Sequence, residues 1–169
     1  DYVLFHNDTF INSETLIKFK NRTVNKNSIN ISYIGLIRFQ DQCKKMIAKF
    51  KNDERFILKF IGKGANALKT FCEDIKAYNI VLIDWFPPEE TLNHYYETDI
   101  INNLYGNNSP WLDFALSNKL YFAAALKIPI IVSSGTYMEK VCSEYRIGYT
   151  LNIDDSGVTD KLAGYYLNL

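Results

Sequence analysis

The chain has 169 residues, 47% hydrophobic and 22% charged, which is enough apolar material for one full core and excludes a disordered chain. Lys plus Arg and Asp plus Glu number 19 each, so no bulk field draws the chain to nucleic acid or an anionic membrane, although a local basic pocket stays open. No apolar run reaches the roughly 18 residues of a membrane span.

Residues 1 to 28, rich in Asn and Lys, read as an entry segment, and Asp1, with no initiator methionine or signal peptide, reads as the cut edge of a longer chain. A strand over Ile31 to Leu36, a helix over Phe39 to Asn52 and a strand over Arg55 to Ile61 follow. Next come a helix over Ala65 to Tyr78 and a strand over Ile80 to Asp84. Pro87-Pro88-Glu89-Glu90 opens another helix, with proline in its first turn and carboxylates at its positive end. Thr98 to Leu104 is a strand, followed by a loop. Ser117 then caps an Ala-rich helix, Asn118-Lys119-Leu120-Tyr121-Phe122-Ala123-Ala124-Ala125-Leu126, and a tight turn leads into the β-branched strand Ile130-Ile131-Val132. A helix over Tyr137 to Tyr145 and a short strand over Ile147 to Leu151 complete the pattern, and residues 156 to 169 begin a last helix after Ser156 or Thr159. Single helices between strands predict an α/β fold: a doubly wound, mostly parallel sheet with helices on both faces.

Cys43, Cys72 and Cys142 each sit in a helical apolar stripe, such as Cys43-Met46-Ile47-Phe50, and read as core-facing thiols that suit a reducing cytoplasm. His6 and His94 are isolated, which argues against a His-based metal site or a Ser-His-Asp triad.

Open parallel sheets bind ligands at the carboxyl ends of their strands. The loops there supply Gly35 and Arg38; Gly62-Lys63-Gly64; Trp85 and Phe86; Tyr105-Gly106-Asn107-Asn108-Ser109; and Ser133-Ser134-Gly135. Together they form a nucleotide-sized pocket of glycines, cations and rings. Gly62-Lys63-Gly64 reads either as a tight strand-to-helix turn or as a phosphate-proximal loop, since it lacks the third glycine of the dinucleotide fingerprint and matches no P-loop. Trp85 and Phe86 read either as core or rim residues or as a stacking platform for a base. The start of the helix after Ser117, carrying Lys119, is a place where a phosphate is held by backbone N–H groups and the dipole.

The order of these motifs resembles the donor-binding, carboxy-terminal domain of the group 1 glycosyltransferases, whose GT-B architecture faces two Rossmann-like domains. The resemblance rests on Tyr33-Ile34-Gly35-Leu36-Ile37-Arg38, Phe60-Ile61-Gly62-Lys63-Gly64, Trp85-Phe86-Pro87-Pro88-Glu89-Glu90, Thr98-Asp99-Ile100, and Ser117-Asn118-Lys119-Leu120-Tyr121 leading to Pro129-Ile130-Ile131-Val132. Tyr2-Val3-Leu4-Phe5-His6-Asn7 likewise looks like the interdomain segment before this domain. It implies a donor-binding domain over residues 29 to 155, an interdomain segment before it and a cut helical segment after it. The implied activity is retaining transfer of a sugar from a nucleotide-diphosphate donor to a growing surface or capsular polysaccharide, the acceptor glycan or lipid-linked glycan being held mostly by an absent amino-terminal domain.

In that picture Arg38 and Lys119 stabilise the leaving diphosphate as catalytic groups, and Gly35, Gly62, Lys63, Gly64, Trp85, Phe86, Ser117, Asn118 and Phe122 line the donor site. The donor nucleotide is a substrate, so no cofactor and no metal are implied, and the setting is a bacterial cytoplasm, peripheral to the inner face of the membrane. Two departures stand out. The lysine usual shortly after the arginine is replaced by Gln40, with Lys44 and Lys45 a turn further on, and the acidic residue that binds the donor ribose falls at Phe122, which cannot accept those hydrogen bonds. A glycosyltransferase-like domain that has lost donor binding and acts as a regulatory module is therefore the alternative. An unrelated doubly wound binding domain, such as one with flavodoxin-like order, is a third.

Overall fold

A computed structural model describes residues 11–22 and 28–169. The expected interdomain motif at Tyr2 to Asn7, with His6, lies outside the described residues. Six strands, β1 (Ile29–Ile34), β2 (Phe56–Ile61), β3 (Ile80–Ile83), β4 (Ile100–Asn103), β5 (Ile130–Ser133) and β6 (Gly148–Leu151), form one sheet in the order β3-β2-β1-β4-β5-β6. Every pairing is parallel. This is the doubly wound, Rossmann-like α/β fold expected from the sequence. The chain reverses its direction of winding between β1 and β4, the crevice where such sheets place ligands.

Strand residues alternate between two buried faces. Ile29, Ile31, Tyr33, Phe56, Leu58 and Phe60 join Cys43, Met46, Ile47 and Phe50 of helix α2 (Gln40–Phe50) on one face, with Cys72 of α3 (Lys69–Asp74) and Leu162 of the helix over Val158–Leu167. On the other, Ile34, Ile61, Ile101, Ile130 and Val132 meet Tyr95 of α4 (Thr91–Tyr96), the helix over Asn118–Leu126, and Met138 and Cys142 of the helix over Tyr137–Tyr145. The three cysteines are buried and free.

Several elements depart from the sequence reading. β1 ends at Ile34 rather than Leu36, because Gly35 takes φ +112° and turns the chain out of the sheet. The helix expected over Ala65 to Tyr78 is a 3-10 turn (Ala65–Leu68) followed by the short α3, and the chain turns away at Lys76 with φ 54°. The entry segment contains a helix, α1 (Ser13–Lys20), capped by Asn12, whose side chain accepts from the Thr15 backbone N–H. Arg22 just beyond it donates to the Tyr96 carbonyl at 3.1 Å and pairs with buried Asp99 at 3.8 Å, pinning this segment to the sheet. The loop after β4 holds a further short helix, α5 (Pro110–Asp113), with proline at its start. The remaining helices are α6 (Asn118–Leu126), α7 (Tyr137–Tyr145) and α8 (Val158–Leu167).

Among the described residues, no helix is long and apolar enough to cross a membrane.

Candidate functional site

The carboxyl ends of β1 and β4 open into a cleft of about 790 Å³ at the switch point of the sheet. The β1–α2 loop supplies Gly35, Leu36, Arg38 and Phe39; α4 and the segment before it supply Phe86, Thr91 and Tyr95. The β4–α6 connection supplies Tyr105, Ser109, Trp111 and Leu116, and α6 supplies Asn118, Lys119 and Phe122, with its cap Ser117. Arg38 and Lys119 are its cations, and rings line much of the wall; no Asp or Glu lines it among the described residues.

The start of α6 is built from β4. Buried Asn103 accepts from the Ser117 hydroxyl at 2.7 Å, and Ser117 Oγ in turn accepts from the Lys119 backbone N–H at 3.2 Å. The strand end thereby fixes the first turn of the helix, and Lys119, at its second residue, is carried to the cleft wall. The Lys119 side chain folds into an aromatic cradle. Its ammonium donates to the Tyr105 hydroxyl at 2.8 Å and lies 4.3 Å from the centre of the Tyr33 ring. Burial and the neighbouring Tyr105 push the Tyr33 phenol well above its ordinary range, so Tyr33 stays neutral and its hydroxyl donates to the Leu36 carbonyl at 3.1 Å. Arg38 stands exposed on the facing loop.

Of the residues singled out in the sequence, the cleft brings together Gly35, Arg38, Phe86, Tyr105, Ser109, Ser117, Asn118, Lys119 and Phe122. Gly62, Lys63, Gly64, Trp85, the Gly106-Asn107-Asn108 stretch and Ser133-Ser134-Gly135 are not among its lining residues, contrary to the sequence reading. The glycines serve the packing of adjacent loops. A Cβ on Gly62 would stand 2.1 Å from the Gly35 carbonyl oxygen, and one on Gly64 2.8 Å from that of Ile37. Two N–H groups of this turn are already taken, since Asp84 Oδ1 accepts from Gly64 N at 3.1 Å and Asn66 N at 2.9 Å. Lys63 points its exposed side chain to solvent while its carbonyl accepts from Ile37 N at 2.9 Å. Trp85 is 74% exposed beside the site, whereas Phe86 turns inward and meets His94 edge-on at 4.7 Å.

Gln40 clamps the loops after β1 and β2 together, donating from Nε2 to the carbonyls of Ile37 and Gly64, each at 3.1 Å. Lys44 lies over the Phe71 ring at 5.8 Å and Lys45 pairs with Asp154 at 2.9 Å, so these two lysines are engaged elsewhere. Phe122 stacks on Tyr95 with ring centres 4.5 Å apart and planes 21° from parallel, and is half-buried against the second core cluster while its ring forms cleft wall. Sequence reasoning missed Tyr33, Phe39 and Asp84 as members or supports of the site. Asp84 carried the readable signal, as a carboxylate just after β3, beside the Gly62–Gly64 turn that follows the neighbouring strand β2.

No protein-family model and no curated protein matches the chain. Solved structures do. Sucrose-phosphate synthase from Thermosynechococcus elongatus superposes with a TM-score of 0.62 at 9% identity over 92% of this chain, which spans 39% of that protein's chain. The C-terminal domain of a group 1 family glycosyl transferase from Francisella tularensis superposes with a TM-score of 0.56 at 14% identity, covering 92% of this chain and 82% of that one. At these identities the likeness is one of fold: the chain has the Rossmann-like architecture of a glycosyl transferase C-terminal domain.

Proposed function

We propose that the cleft binds a nucleoside diphosphate sugar and that the chain is the donor-binding domain of a retaining glycosyltransferase. Residues 29 to 155 form the nucleotide-binding unit in this reading. A separate amino-terminal domain holds most of the acceptor, a surface or capsular glycan or a lipid-linked glycan. The observation that carries the reading is the lining of the cleft: two cations, Arg38 and Lys119, the start of α6, and aromatic walls, with no Asp or Glu among the described residues to repel an anion. A diphosphate is matched by the cations and the positive end of the helix, which also stabilise the charge that develops on it as the glycosidic bond breaks. Phe86 is the ring on hand to pack beside a base. The donor is consumed as a substrate, and the reading assigns no resident cofactor or metal.

One observation favours a second reading, a glycosyltransferase-like binding module without catalysis. Phe122, at the position where the resemblance expects the acidic ribose ligand, stacks on Tyr95 and offers the ribose no acceptor. Titration calorimetry with UDP, GDP, ADP and the matching nucleosides separates the two. Lys119→Ala and Arg38→Ala are each expected to weaken the preferred nucleoside diphosphate by about 1 to 3 kcal/mol, the loss of a charge-assisted hydrogen bond, and to leave the nucleoside nearly unchanged. A wild-type chain that binds none of the three diphosphates overturns the donor-site reading. Turnover needs both domains, so residues 1 to 169 alone are expected to fold and bind but to transfer no sugar.

A further inference from the structure

We propose that Tyr105 is the positioning residue for Lys119, holding the ammonium at the cleft wall through its hydroxyl so that an anionic ligand meets a cation already in place; this rests on the reading of the cleft as a diphosphate site. Lys119 is only 7% exposed, yet it forms none of the ion pairs found among the described residues. A buried ammonium without a carboxylate is costly unless other groups solvate it. Here the solvating groups are neutral: Tyr105 Oη at 2.8 Å, the Tyr33 face at 4.3 Å and the Tyr105 ring at 5.3 Å. A carboxylate would neutralise the charge and compete with a phosphate, whereas a phenol and ring faces hold the ammonium and leave its charge for the ligand.

Tyr105 is itself held rigidly. Its ring lies against Phe39, centres 4.4 Å apart, and against Tyr33 at 5.7 Å, and its backbone N–H donates to the Asn103 carbonyl at 3.1 Å. The hydroxyl is therefore a fixed point for a side chain that otherwise has many rotamers, and ordering it before binding removes an entropic cost from the binding step. Gly35 lies beside the ammonium: a Cβ there would stand 3.9 Å from Lys119 Nζ, in ordinary contact.

The test is a double-mutant cycle read by calorimetry, using whichever of UDP, GDP or ADP the wild type binds best, with its nucleoside as reference. Tyr105→Phe keeps the rings packed and removes only the acceptor. It is expected to weaken diphosphate binding by about 3- to 10-fold, to leave the nucleoside within about two-fold, and to have no further effect when Lys119 is already alanine. Wild-type diphosphate affinity in Tyr105→Phe, alongside weakened binding in Lys119→Ala, overturns the positioning role and leaves the diphosphate site standing. An equal loss from Tyr105→Phe in the Lys119→Ala background overturns it as well, because the hydroxyl then acts independently of the lysine. A Tyr105→Phe chain that fails to fold makes the hydroxyl structural and has the same consequence. If Lys119→Ala binds like wild type, the diphosphate reading itself falls.

Discussion

Replacing Phe122 by glutamate puts the residue that the family resemblance expects into the site this chain has, and the structure fixes the sign of the result. The Phe122 ring stacks on Tyr95 at 4.5 Å, and Tyr95 is itself 2% exposed in the second core cluster. Losing a stacked aromatic pair costs about 0.5 to 1.5 kcal/mol beyond its area. Withdrawing a half-buried phenyl ring removes on the order of half the 1.5 to 3 kcal/mol of a fully buried one. Phe122→Glu is therefore expected to destabilise the fold by about 2 kcal/mol. At about 2 to 4 °C per kcal/mol for a chain of this size, the melting temperature falls by about 4 to 8 °C. Phe122→Leu keeps an apolar wall and loses about half as much. The assay is thermal unfolding by circular dichroism for both variants, with the diphosphate titration repeated on the folded protein. An unchanged melting temperature with tighter nucleoside diphosphate binding would refute the reasoning, because it would mean that position 122 faces a ribose and that the stack on Tyr95 is dispensable.

Three further outcomes follow from the same geometry. Gly62→Ala places a methyl 2.1 Å from the Gly35 carbonyl oxygen at φ +131° and is expected to cost more than about 3 kcal/mol, read as loss of folded protein in urea unfolding; a cost under about 1 kcal/mol refutes the close approach. Asp84→Ala removes the acceptor of two backbone N–H groups and is expected to cost about 1 to 2 kcal/mol while leaving diphosphate affinity within about two-fold; a large change in affinity would return the Gly62–Gly64 turn to the phosphate. Burial pushes the Cys43 thiol from 9.0 up to about 12, the Lys119 charge opposing it only in part, and the Cys142 thiol up to about 11. A raised folded value favours the native state below about pH 9 and loses that contribution as the unfolded thiols ionise above it, so urea stability is expected to fall from pH 8 to 10, by less in Cys142→Ala; equal falls in both refute the burial argument.

The fold was legible where local chemistry and tertiary packing agree. The joint from Ser117 to Val132 shows this: the Ser117 cap is made as read, Lys127 closes α6 in the left-handed region at φ 54°, and Ile130, Ile131 and Val132 are fully buried between two helical layers. Boundaries failed where a distant group decides them. Hydrophobicity runs on through Leu36, but β1 stops where Gly35 swings out to let Gly62 approach its carbonyl, a contact between residues far apart in sequence. Thr98 reads as strand, yet its hydroxyl donates to the His94 carbonyl at 2.7 Å and accepts from the Ser32 hydroxyl at 2.8 Å, so it ends α4 and β4 starts at Ile100. α1 had its own signal in Asn12, Glu14 and the basic Lys18 and Lys20, which the Asn- and Lys-rich surroundings obscured.

The site divides along the same line. Residue types in loops can be read from sequence, but the partner that occupies each polar group cannot. Gly62-Lys63-Gly64 has the composition of a phosphate turn, and only the fold reveals that Asp84 already holds the N–H groups of Gly64 and Asn66. Lys119 has the composition of an exposed helix-start cation, and only the fold reveals that Tyr33 and Tyr105 bury it without a carboxylate. These two observations point in opposite directions for what look in sequence like equivalent candidates. A turn with two donors already held by a carboxylate gains little from an anion there, since the anion must compete with that carboxylate. A buried cation whose neighbours are neutral gains a partner for its charge when the anion arrives. On the proposed reading of the cleft, this asymmetry favours an anion on the β4–α6 side, beside Lys119, over one at the β2 turn.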